Sequence, residues 1–161
     1  MTETPERDGL TPRVKYGLIV GAVGLVLNTC FSAIISCCGP LAALLAGAVA
    51  GALAAREEDP PTQDDGARLG AISGLIAGAF VLVGQVIGVS AILALYPALD
   101  VPPLLGDLPA PSDVAGQLGY WFGGLGVAFC VGLLDIAFSA GAGALAGYLA
   151  SPADGELLPS E

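Results

Sequence analysis

From Tyr16 to Ala55 the chain runs without one charged side chain, and the uncharged stretch is about twice the roughly 20 residues that a single membrane crossing needs. Two helices joined by a turn are expected there. Cys38-Gly39-Pro40 writes the turn: glycine closes a helix in the left-handed conformation, and proline suits the first position of the next, where no amide hydrogen is required. A charged break follows at Arg56–Asp65 (REEDPPTQDD), and then two further apolar stretches, Arg68–Tyr96 and Tyr120–Tyr148. The pattern predicts four spans over 16–38, 40–56, 68–96 and 120–148. At ~1.5 Å per residue the second reaches only about 25 Å, short of a ~30 Å hydrocarbon core, whereas the last two reach about 43 Å. Thinning or burial has to accommodate the first case, and tilt or protrusion the second.

The chain therefore divides into a tail (1–15), a four-span membrane domain (16–150) and a second tail (151–161). The expected fold class is all-α, an integral membrane four-helix bundle of two helical hairpins. Between the last two spans lies a loop with Pro97, Pro102, Pro103, Pro109 and Pro111, and Ser112 or Asp113 is placed to cap the helix that begins near Val114. All five basic residues, Arg7, Arg13, Lys15, Arg56 and Arg68, fall on one side of this scheme. By the positive-inside rule both termini and the 56–68 loop are cytoplasmic, which makes the protein a multi-pass resident of the cell (cytoplasmic, or inner) membrane. Tyr16 and Tyr148 mark one boundary, and Tyr96, Tyr120 and Trp121 the other. The short Ile34-Ile35-Ser36-Cys37 resembles a lipoprotein processing site, but another apolar span follows it where a polar mature terminus is required.

Composition narrows the function classes. Hydrophobic residues make up 55% and charged ones 12%, a balance foreign to water-soluble domains of this size. A net charge of -10 with no basic cluster excludes nucleic acid as a partner, since nothing neutralises a row of phosphates. The chain has no His, and no nucleophile stands beside a base, so catalytic residues, a metal site and cofactors are not expected, nor is an enzyme.

The 24 glycines are not scattered. Gly17/Gly21 (with Gly24), Gly47/Gly51, Gly70/Gly74/Gly78 (with Gly66 before them), Gly84/Gly88, Gly119/Gly123 and Gly143/Gly147 recur four apart, each set on one helical face, and Gly132 joins the stripe of the last span. Such glycine-zipper faces let backbones approach closely, a main source of helix association in lipid. The second and fourth spans end alike (AGAVAGALAA and AGAGALAGYL), which fits either a repeat of two hairpins or two small-residue helices of similar composition.

Three polar residues fall near the middle of their spans: Asn28, Gln85 and Asp135. Each shares the stripe on which its own helix carries glycine, so the three are expected to meet in the bundle interior. An aspartate there has no Lys or Arg to neutralise it and must be protonated or reached by water; it serves either as a proton or cation site or as a neutral hydrogen-bonded clasp. Cys30, Cys37, Cys38 and Cys130 are expected to be free buried thiols, with a Cys30–Cys130 disulfide or a strained vicinal Cys37–Cys38 pair as the alternatives.

With its CCGP turn, Gly/Ala-rich second span, charged break and further glycine-zippered pair, the chain resembles, in layout, the uncharacterised small multi-pass membrane proteins of bacteria and archaea. The resemblance implies membrane residence and no activity. Two functions are then expected: a structural or interaction role, with the lipid bilayer and a second copy or another membrane protein as partners, or a small channel or transporter working through Asp135.

Overall fold

The structure is a computed structural model that describes residues 10–32, 39–99 and 113–152. These form four helices: α1 (Pro12–Ser32), α2 (Gly39–Glu58), α3 (Gln63–Leu99) and α4 (Val114–Ala150). Each is long and apolar enough to cross a membrane. Cys37 and Cys38, the processing-site resemblance and nearly all of the Pro-rich loop lie outside the described residues.

Local chemistry sets the helix ends. The charged break is shorter than its letters suggest, because Arg56, Glu57 and Glu58 complete α2, and Gln63, Asp64 and Asp65 open α3. Arg56 lies in the last turn of α2 and the two aspartates in the first turn of α3, each favourable to the helix dipole it meets. Asp59 takes a left-handed φ of 46°, and its N–H still donates to the Ala55 carbonyl at 3.0 Å. The Thr62 hydroxyl accepts from the Asp65 N–H at 3.2 Å and donates to the Asp65 carboxylate at 2.9 Å, a side-chain cap that starts α3. Asp113 caps α4 by accepting from the Gly116 N–H at 3.2 Å. α3 runs on past Tyr96 through Pro97 to Leu99.

Ionic contacts gather one end of the molecule. The Arg13 backbone N–H donates to Glu58 at 3.0 Å, its guanidinium lies 3.4 Å from the same carboxylate, and Lys15 reaches Glu57 at 3.3 Å. Gly66 packs against Ser151 and Gly147 at this end. The starts of α1 and α3 therefore share a level with the ends of α2 and α4, and consecutive helices run up and down. In cross-section the bundle is a rhombus: α2 and α3 touch along the short diagonal, while α1 and α4 occupy opposite corners without contact.

The core consists of small side chains. Ala43, Ala46, Ala50, Ala77 and Val81 form the buried apolar cluster, and Val81 is the largest fully buried apolar side chain. Large apolar residues face outward, with Leu45 68%, Phe122 74% and Leu149 71% exposed. In water this would leave continuous apolar surface on every side, whereas in lipid the same outside is the solvated one.

The glycine faces close the helix seams. A methyl group on Gly47 or Gly74 would strike the Ser139 backbone, on Gly51 or Gly70 that of Gly143, and on Gly147 that of Gly66. On Gly78 it would lie 2.9 Å from the Ile136 Cα, and on Gly132 2.8 Å from the Leu82 side chain. Along the seam between α1 and α3, Gly17, Gly21, Gly24 and Gly84 face Ile76, Ala77, Val81 and Leu25 in turn, and Gly88 is buried. Gly119 and Gly123 share a helical face, and spacing alone leaves open whether such a face packs within the chain or between copies. Among the described residues nothing lies within 4 Å of a side chain placed there, and this face of α4 is turned away from the other three helices.

Candidate interior polar site

Asn28, Gln85 and Asp135 lie at one level of the bundle, presented by α1, α3 and α4. The Asn28 amide donates to the Val81 carbonyl at 2.9 Å and to Gln85 Oε1 at 3.2 Å, which ties α1 to α3. Both amides are buried, as is Asp135, which is 0% exposed. Among the described residues neither carboxyl oxygen of Asp135 has a hydrogen-bond partner, and Asn28 Oδ1 has none either.

The fourth wall of this cluster is Gly39, the first residue of α2. A methyl group placed on it would stand 3.1 Å from Asp135 Oδ2, 3.4 Å from Gln85 Oε1 and 3.8 Å from Asn28 Oδ1. Three side-chain oxygens thus converge on one point beside the start of a helix. The start of a helix carries roughly half a positive charge and several unpaired N–H groups. Reading the sequence makes Gly39 a turn residue only; the need for a bare Cα against the carboxyl comes from packing between α2 and α4, which spacing within one helix does not carry.

Depth also differs from the expectation. Along α4, Asp135 is about 20 Å from Tyr148 and about 22 Å from Tyr120, midway between the aromatic boundaries. Along α2 the same level is the very beginning of the helix, about 25 Å from Arg56. Helices α3 and α4 have 37 residues each, against 21 in α1 and 20 in α2. The shorter hairpin therefore brings a helix N-terminus to the depth at which the longer pair carries its carboxyl.

Serine hydroxyls extend the polar interior toward the basic end. The Ser139 hydroxyl, one turn from Asp135, donates to the Gly74 carbonyl at 2.7 Å, and the buried Ser73 hydroxyl has no partner. Thr29 donates to the Leu25 carbonyl at 2.8 Å and stands 3.3 Å from the Gly84 carbonyl. Cys30 and Cys130 are free, as expected, but exposed rather than buried, and they sit on the two helices that do not touch. The chemistry of the site is that of a carboxyl and two carboxamides, suited to holding a proton or a small hard cation.

The chain matches no protein-family model, no curated protein and no solved structure. Fold and composition define the class: an all-α bundle whose described residues supply four helices able to cross a membrane.

Proposed function

We propose that the chain is a multi-pass protein of the cytoplasmic membrane, termini inside, with an interaction role, and that it self-associates through the outer face of α4. The basic residues among the described ones, Arg13, Lys15, Arg56 and Arg68, stand at the end where the chain enters and leaves the bundle, which supports the orientation. The observation that carries self-association is what remains after the internal seams are filled. Among the described residues Gly119, Gly123, Gly126 and Gly141 meet nothing within 4 Å, and with exposed Cys130 and Ala137 they mark one stripe at helical spacing. Much of that stripe lies in the half of α4 that precedes Asp135. There α2 has not yet begun and α1 does not reach α4, so α3 is its only described neighbour. A bare backbone groove of this kind gains more from a second helix than from mobile acyl chains.

Cys130 supplies the test. With Cys30, Cys37 and Cys38 replaced by Ala, oxidation in native membranes should give a disulfide-linked band of twice the monomer mass, and Gly123→Ile should remove it. A monomer band alone, at expression levels where the protein is intact, overturns self-association through this face. The unpartnered carboxyl of Asp135 favours a second reading, a small channel or transporter. Cation or proton flux in proteoliposomes that is lost in Asp135→Asn supports it, and equal flux in both proteins removes it.

A further inference from the structure

We propose that Asp135, Asn28 and Gln85, closed by the N-terminus of α2 at Gly39, form a reversible binding site for a small monovalent cation, the proton or sodium.

The argument begins with an imbalance of donors and acceptors. Asp135 Oδ1, Asp135 Oδ2 and Asn28 Oδ1 are buried acceptors with no donor, and buried polar atoms in folded proteins are paired in the great majority of cases. Another hydrogen-bond acceptor would make the imbalance worse. A donor is what the set lacks, and a positive charge shared among oxygens supplies it while neutralising the carboxylate: a proton on Asp135 directed at a carboxamide oxygen, or a hard cation held by the same atoms. The other charged residues of the described chain stand at or near the helix ends, and no described Lys or Arg reaches this level from any helix. The groups that share the Gly39 corner with Asp135 are Gln85 from α3 and Asn28 from α1, a helix that does not itself touch α4, and none of them titrates.

The start of α2 makes the site reversible. A carboxylate alone in hydrocarbon is too costly to form readily, which would fix the proton permanently. Here the positive end of a 20-residue helix opens beside Asp135 Oδ2, close enough that a single methyl group at Gly39 would crowd the oxygen. That half-charge offsets part of the cost of ionisation without replacing the cation. Intramembrane helix starts aimed at carboxyl groups occur in transporters for the same electrostatic reason.

The test is modification of the full-length protein in proteoliposomes by a hydrophobic carbodiimide, which attacks protonated carboxyls, with the adduct located by mass spectrometry and Asp135→Asn as the assignment control. An occupied and exchangeable site predicts labelling of Asp135 that falls with rising pH, by about tenfold per unit once above its midpoint. Sodium, compared with choline at equal ionic strength, distinguishes the two ligands: protection by sodium identifies a site for both cations, and indifference to sodium identifies the proton alone. Asp135 left unlabelled from about pH 5 to about pH 9, or labelled equally throughout, overturns the proposal. The readout requires neither flux nor self-association, so pH-dependent labelling in a protein that transports nothing keeps the site and removes transport.

Discussion

Glycines four residues apart have opposite consequences according to the direction in which their face is turned. Gly143 lies where three helices meet, and a methyl group on it would press on the backbones of Gly70, Gly47 and Gly74. Gly123 faces open space. Gly143→Ala should therefore destabilise by about 1–3 kcal/mol through overpacking, while Gly123→Ala should leave the monomer unchanged or raise its stability by up to ~1 kcal/mol through helix propensity. Circular-dichroism melts in one detergent check both, and equal melting temperatures would contradict the seam. Spacing made both pairs visible in the sequence and said nothing of their difference, since the rotation of a helix about its axis is set by its neighbours. Asn28, Gln85 and Asp135 were legible for a firmer reason: a polar group in an apolar span has few places to go except inward.

Among the helices themselves, the number and approximate extent follow from charge-free length alone, and the ends do not. The letters REEDPPTQDD read as one polar break, yet α2 absorbs three of the residues and α3 three more, leaving a turn of Asp59–Thr62. The deciding factors are a left-handed aspartate and a threonine hydroxyl, local hydrogen bonds that a count of charges passes over. Thr62→Ala should cost about 1 kcal/mol, read as a lowered melting temperature, because it frees the Asp65 N–H at the start of α3. Thr62→Ser should restore it. Length read helix by helix also conceals level. Asp135 is central in α4 and Asn28 in its expected span, but only the packed bundle sets both beside the first residue of α2.

For the molecule as a whole, the up-and-down course places the turn at Asp59–Thr62 and the start of α4 at opposite ends. In a background without native cysteines, a membrane-impermeant maleimide should label Asp113→Cys from outside intact cells. Thr62→Cys should react only in inverted vesicles, and labelling of both from one side would refute four crossings. The inside-out distribution of bulk, with Leu45 and Leu149 outside and Ala43 and Ala50 within, was implicit in composition because a chain so rich in Gly and Ala has little else to place between its helices.

Among the described residues, the mismatch in helix length gives the bundle a taper. Near the basic residues its footprint is four helices wide, and past Asp135 the described chain narrows toward the α3–α4 pair. Such a wedge displaces more lipid from one leaflet than from the other, so copies gathered side by side would favour a membrane that bends toward their narrow ends.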